Sequence, residues 1–500
     1  MLTGAGRLWA QTPSIPAAGA LPDAPLAAGT GVAGAGIAGS GGAKSSAGMD
    51  QAGAGEGEAE PGAPTMFPHP DKARYLIAGQ TNIIFQGDPG FHSPYEGVNS
   101  FINRAEYKTS LLGTLYTGLL VRRSPGSATE LLFDMESAGG RGLSEALGLA
   151  GFTNLDVVRN PNLGSVPYVA RVEIHQTIGL GSKTVATDRG PTSLETEVPE
   201  RRIELRFGKM TLPDVLDLNT IGSDSHLQFM NWTVDNNGAW DYAADTRGYT
   251  YAATAEYDDK AWSARYALAL MPTVANGINL DWNLHRASGQ NGEFELRKNL
   301  LGRLVKPDRT GTVRVLSYVN HAHMGLYRDA IDAYLAGKTP RPEITSVEKF
   351  GAVKYGFGLN AEQELTKNLR GFLRLGWNEG QHESFAYTEV DQTMEFGGDY
   401  SLRDGLLGLP KRPFDKIGLA YVTNAIKGDH QEYLKLGGLG FLLGDGTLSY
   451  AREDILEGYY NYHAWRGAYY AFDTQFIDHP GYNQARGPVV VFSVRLHVDY

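Results

Sequence analysis

Five hundred residues with no cysteine, 45 lysines and arginines against 56 acids, and a formal net charge of −11 leave no disulfide, no thiolate metal site and no basic face for nucleic acid. Mean hydropathy is −0.29 and no run approaches the ~18 unbroken apolar residues of a membrane helix, which excludes a helical membrane bundle. A chain crossing on strands keeps such an average because only alternate residues meet lipid, and its 26 tyrosines, 19 phenylalanines and 7 tryptophans supply half-wet rings for two interfacial girdles.

Residues 1–11 (MLTGAGRLWAQ) lack the basic start and long apolar run of a complete export signal and read as the remnant of one. Residues 12–65 are mostly Ala, Gly, Pro and Ser with scattered acids, and cannot bury a core. The expected organisation is therefore a signal remnant and disordered leader over 1–65, then one domain over 66–500.

From residue 75 onward period-two alternation recurs, the mark of a strand with one greasy and one wet face. In 75–85, Tyr75, Ile77, Thr81, Ile83 and Phe85 share one face, while Gln80, Asn82 and Ile84 share the other. In 129–136, Leu131, Phe133 and Met135 oppose Glu130, Asp134 and Glu136. Over 168–180, Tyr168, Ala170, Val172, Ile174, Ile178 and Leu180 are expected on the apolar side, with Arg171, Glu173, His175 and Thr177 opposite. Further runs stand at 203–207 and at 249–257 with 262–270, a hairpin with aromatics at both ends. Others follow at 313–319, 355–361, 373–377, 417–421, 436–443, 448–453 and 469–477.

The clearest run is 489–500. Val490, Phe492, Val494, Leu496 and Val498 face one way; Ser493, Arg495 and His497 face the other. About ten residues is the length a tilted strand needs to cross the hydrocarbon layer. Two stretches, 143–151 (LSEALGLAG) and 327–336 (YRDAIDAYLA), have helical spacing and belong on loops. Strand plus connection lengths predict roughly fourteen to eighteen strands. The fold class is all-β, a transmembrane antiparallel β-barrel with inward-folded loops. Alternation alone also fits a secreted all-β protein that binds or degrades polysaccharide.

After Phe207 the alternation stops for about forty residues, and so long a connection is usually functional. It is dense in acids, amides and tryptophan. Sugars offer hydroxyls and weakly apolar C–H faces, so a sugar pore wants charged and amide partners together with aromatic rings. Arg206, Lys209, Asp214, Asp217, Asn219, Asn231, Trp232, Trp240, Asp241, Asp245 and Arg247 supply both kinds. If the loop folds inward, Lys209, Arg206 and Arg247 stand beside Asp214, Asp241 and Asp245 at an eyelet. The competing reading is structural: Trp232 and Trp240 pin the loop to the wall, and Asp245 and Arg247 are a local pair. Arg171, Glu173, His175 and Arg206 fall on the wet face by periodicity, as sugar contacts or as a general ionic lining. Glu453 and Glu457 have no geometry that makes them a catalytic pair. His321 and His323 are strand-spaced and make no metal site. The expectation is a non-enzymatic channel with no cofactor.

The block RFGKMTLPDVLDLNTIGSDSHLQFMNWTVDNNGAWDYAADTRGY, residues 206–249, resembles the carbohydrate-selective outer-membrane porins of the OprB type. Its densest parts are Gln228-Phe229-Met230-Asn231-Trp232 and the run GAWDYAADTRG over 238–248. Supporting matches are Ser93-Pro94-Tyr95, Pro167-Tyr168-Val169-Ala170-Arg171, Gly444-Asp445-Gly446 and the run PGYNQARGP over 480–488. The resemblance implies a barrel of about sixteen strands in the bacterial outer membrane. It implies small-molecule sugars and outer-membrane lipid as partners and no nucleic acid. Monomer and trimer both stay open.

Overall fold

The computed structural model describes residues 65–157, 164–406, 408 and 410–500; residues 1–64, which carry nearly all of the expected leader, lie outside the described part. Sixteen strands close into one antiparallel barrel. In chain order they are β1 (Tyr75–Gly90), β2 (Arg104–Ser124), β3 (Ser127–Gly140) and β4 (Tyr168–Gly179), then β7 (Arg202–Met210), β8 (Thr250–Asp258), β9 (Trp262–Ala269) and β10 (Ser288–Arg297). β11 (Gly311–Met324), β12 (Lys349–Glu364), β13 (Leu369–Asn378) and β14 (Gln392–Ser401) follow. β15 (Lys416–Ala425), β16 (Glu453–Trp465), β17 (Ala468–Asp478) and β18 (Val489–Asp499) complete the ring. Between β4 and β7, β5 (Thr184–Ala186) and β6 (Glu197–Pro199) pair as a small separate hairpin. β18 closes on β1, with Val498 opposite Thr81 and Val494 opposite Phe85.

The alternation read from sequence is the inside–outside pattern of this wall. In β18, Phe492 and Val494 are exposed while Ser493, Arg495 and His497 are buried. In β1, Ile77 and Phe85 point out and Gln80, Asn82 and Ile84 point in. The outward set is large and apolar: Phe207 is 69% exposed, Ile77 61% and Phe472 58%. A secreted sandwich would bury such a band; lipid accepts it. Aromatic pairs mark both rims, Tyr257 with Trp262 (4.9 Å) at the short-turn end and Tyr251 with Trp282 (4.9 Å) at the long-loop end. Tight connections at 125–126, 259–261, 365–368 and 466–467 occupy one end, the periplasmic end of such barrels, together with longer ones at 180–201, 298–310 and 402–415; the 211–249 loop and the loops beside it occupy the other.

Several expectations are corrected. Tyr168 and Ala170 point inward, not out. Asp134 pairs with Arg171 but Met135 pairs with Val169, so Ala170 is an extra residue and the bulge reverses the phase of everything before it. Residues 436–443 and 448–452 are not strands; they lie on the long β15–β16 loop, and β16 starts at Glu453. Residues 143–151 hold only a 3-10 turn at Leu143–Glu145, because Ser144, Glu145 and Ala146 all take positive φ. The helix expected at 327–336 is present as α2 (Tyr327–Leu335), and α3 (Gly428–Lys435) packs beside it, with the Tyr327 and Tyr433 rings 5.1 Å apart.

β2, β10 and β14 have no counterpart among the expected runs, and β16 overlaps one only at Glu453. β2 carries leucine on both faces, since inward Leu112 and Leu120 meet other apolar residues rather than water. That contact is general. Loops 141–157 and 211–249 turn into the barrel, and Phe152, Leu155, Leu216, Phe229, Trp232 and Trp240 form an apolar core within it.

Candidate functional site

Inward-pointing wall residues grip the 211–249 loop. Asp217 donates its N–H to Glu293 (2.7 Å), and its carboxylate accepts from Asn237 N (2.9 Å) and Asn360 Nδ2 (2.9 Å) and faces Arg374 Nε (3.3 Å). Asn219 donates to Asn360 (2.8 Å) and accepts from Ile221 N (2.9 Å). Asn231 caps the single turn α1 (Trp232–Asp235) by accepting from Thr233 N (3.0 Å), and donates to Gly151 O (2.9 Å) and Gln475 (3.0 Å). Trp232 donates its indole N–H to Asn154 O (2.8 Å) and stacks on Tyr387 (5.8 Å); Trp240 donates to Asn291 (2.9 Å). Asp241 accepts from Phe385 N (2.9 Å) and Ala386 N (2.8 Å) and pairs with Lys354 (3.2 Å).

These six residues are buried and hold the loop in place. Asp245 closes its own turn by accepting from Arg247 N (2.9 Å) and Tyr249 N (3.2 Å), while the Arg247 guanidinium lies 4.6 Å over the Tyr168 ring. Glu457 and Glu453 have the same anchoring role from the wall. Glu457 accepts from Met230 N (2.6 Å), and Glu453 accepts from Gly151 N and Gly481 N (both 2.7 Å). The wet-face residue Arg495 also meets the loop, donating to Ser225 O (2.6 Å) and Gln228 O (3.0 Å).

A second group stands on the wall itself, as a ladder of alternating charge. Arg171 bridges Asp134 of β3 and Asp214, which sits in the first turn of the inward loop. Arg206 pairs with Glu173 (2.6 Å), and His175 lies between Glu130 (2.8 Å) and Glu204 (3.1 Å). Arg202 joins Glu204 and Asp258 (both 2.5 Å), and Arg297 joins Asp258 (2.7 Å) to Glu295 (2.6 Å). Arg265 touches Glu256, Glu293 and Glu295 (2.8 Å each), and Arg314 connects Glu295 (2.7 Å) to Glu362 (2.8 Å).

Register builds the ladder. His175 is opposite both Glu130 and Arg206, and Arg265 is opposite both Glu256 and Glu293. Its solvated edge runs through Arg206, Glu204 and Glu256, whose side chains keep 11%, 14% and 18% exposure, against 3% for Arg171.

Of the fourteen candidates, the structure brings Arg171, Glu173, His175, Arg206 and Asp214 together. Lys209 is separate from that group, its ammonium lying 5.7 Å over the ring of Tyr249 at the end of the loop. It pairs with Val172 and Tyr251, both exposed on the outer face, and its ammonium donates to Val169 O (2.8 Å). The β8–β12 half of the ladder escaped sequence reading, although Glu256, Asp258, Glu293, Glu295 and Arg297 recur at period two.

An apolar belt between aromatic rims, closed strands and a lumen of paired charge define an outer-membrane porin. The sequence model described as carbohydrate-selective porin, OprB family, matches residues 126–500, and the chain belongs to that family. The high-pH structure of Pseudomonas putida OprB is similar in fold, with 15% identity, a TM-score of 0.63, and 85% of this chain and 94% of that one covered. OmpF of Salmonella typhi, solved with daunomycin, gives 9% identity and a TM-score of 0.46 over 86% of this chain and 98% of its own. No curated protein sequence matches.

Proposed function

We propose that mono- or oligosaccharides cross this outer-membrane carbohydrate porin passively along the charge ladder, with Arg206 at its partly exposed edge and the buried side chains of Arg171, Glu173, His175 and Asp214 holding that edge in place. One observation carries the reading: a continuous ladder of paired charge lines the wall, partly exposed at Arg206, Glu204 and Glu256 and tied through buried Arg171 to Asp214, where the inward loop leaves the wall. A sugar hydroxyl is both donor and acceptor. Rows of guanidinium beside carboxylate offer both kinds of partner at each step, so lost water bonds are replaced without a deep binding site. Fixed opposite charges also set a transverse field that orders water and leaves neutral solutes less hindered than ions.

The indoles of Trp232 and Trp240 take no part, since both are buried with their N–H groups bonded. The reading asks for no bond to be made or broken. Liposome swelling with a panel of sugars and salts on refolded protein tests it. Monosaccharides should enter, and Arg206→Ala should slow sugar entry while leaving the barrel folded. Equal rates for sugar entry in parent and variant would remove Arg206 from the path.

A further inference from the structure

The connection between β4 and β7 leaves from the short-turn end of the barrel but does not stay outside. Beyond the β5–β6 pairing, Thr187 N still donates to Thr196 O at 3.0 Å, and the tip between them then turns into the lumen. Leu194 is buried among Leu76, Leu120, Ala128 and Leu132. Gly118 makes the room, because a Cβ there would stand 2.6 Å from Leu194 Cδ1. Polar contacts seat the rest. Leu194 N donates to Glu130 (2.7 Å), Arg206 donates to Thr192 O (3.0 Å) and Arg123 pairs with Glu195 (2.7 Å). Arg189 tightens the turn by donating to Leu194 O at 2.9 Å.

Two of these anchors belong to the ladder: Glu130 also holds His175, and Arg206 also holds Glu173. The tip is therefore fixed at the ladder's own level, approaching from the end opposite the 211–249 loop. Pro191, Thr192 and Ser193 stay only half-buried at its crest. We infer that residues 188–195 form a second constriction, on the periplasmic side, which sets a size limit on exit from the ladder. For sugars this rests on the proposed function above; for ions it stands by itself.

The chain has no cysteine, so Thr192→Cys introduces a single thiol. In a planar bilayer, a bulky charged thiol reagent should then cut the potassium chloride current by about half or more. A labelled channel with unchanged current overturns the inference, as does a thiol that never reacts. Replacing residues 188–195 by Asn-Gly, which suits a two-residue hairpin turn, should raise conductance at least about 1.5-fold and admit disaccharides more readily. Unchanged conductance in a barrel that still shows a heat-modifiable gel shift also overturns it. Potassium chloride current needs no sugar, so a channel whose tip controls current but which passes no sugar separates failure of the sugar reading from failure of this one.

Discussion

Val494 and Arg495 are neighbours in β18 and should fail in opposite ways when replaced. Val494 lies near the middle of the eleven-residue strand, opposite Phe85 and Phe472, and all three are exposed on the lipid face. Val494→Arg sets a guanidinium near the bilayer midplane, at a cost of about 2–4 kcal/mol, toward the low end if the stem can reach a rim. Arg495→Ala removes a buried cation that donates to Ser225 O and Gln228 O. Bonds from a charged donor contribute ~1.5–3 kcal/mol each, but lumen water can replace part of them, so a total loss of ~1–3 kcal/mol is expected.

Stability alone does not separate the two, so conductance is read as well. Refolded residues 66–500 in vesicles would be titrated with urea by tryptophan fluorescence, and single channels recorded in parallel. Val494→Arg should lower stability while channels that do fold conduct like the parent. Arg495→Ala should loosen the inward loop and give larger or noisier currents. Two variants with the same stability and the same currents would refute the assignment of lipid and lumen faces.

Arg206→Ala leaves Glu173 without its cation and should raise cation over anion permeability by ~1 kcal/mol, about fivefold, in reversal-potential measurements, while Lys209→Ala should leave selectivity unchanged. Asp217→Ala breaks the buried pairing with Arg374 and Asn360 and should cost about 3–5 kcal/mol in urea titration, with an increase in open-channel current. His430 of α3 is buried 3.3 Å from Asp391 and 3.7 Å from Glu389; burial opposes its charge, but these carboxylates outweigh burial and raise its pKa above the ordinary value. A raised folded pKa means the contribution to α2–α3 packing is full below about pH 6.5 and is lost as pH rises through the folded value. Amide exchange in α2 and α3, corrected for intrinsic rates, should therefore quicken at alkaline pH in the parent and lose that dependence in His430→Gln. Deleting residues 12–65 behind a working export signal should leave single-channel current unchanged.

Much of the wall was legible because a strand declares its two faces locally. Leu131, Phe133 and Met135 against Glu130, Asp134 and Glu136 needs no partner strand to be read, and both sets stand where the alternation puts them. The wall became illegible where the lumen is apolar. In β2, Leu111 and Leu115 point to lipid, while Leu112 and Leu120 meet loop or hairpin residues, so both faces look greasy. The bulge at Ala170 was hidden for another reason: an extra residue shows only when two strands are paired and one count exceeds the other.

The same division runs through the site. Residue type and period placed Arg171, Glu173, His175 and Arg206 on the wet face, and the aromatic-rich 206–249 block announced a loop that folds inward. The sequence by itself thus determined a series of strands with one apolar and one charged face and a long polar, aromatic loop, because hydrophobic alternation and loop length are properties of neighbouring residues. That the apolar face meets lipid and not a core follows from the closed ring. Only the tertiary structure decided that Trp232, Trp240 and Asp217 hold the loop while Asp214 is tied to the wall through Arg171 and Arg206 keeps partial exposure. It also decided that Lys209 takes an outer-face register position with its ammonium over the Tyr249 ring, and that Leu194 brings a hairpin in from the other end. Those outcomes depend on register around a closed ring and on which buried polar groups find partners across it, contacts between residues far apart in the chain.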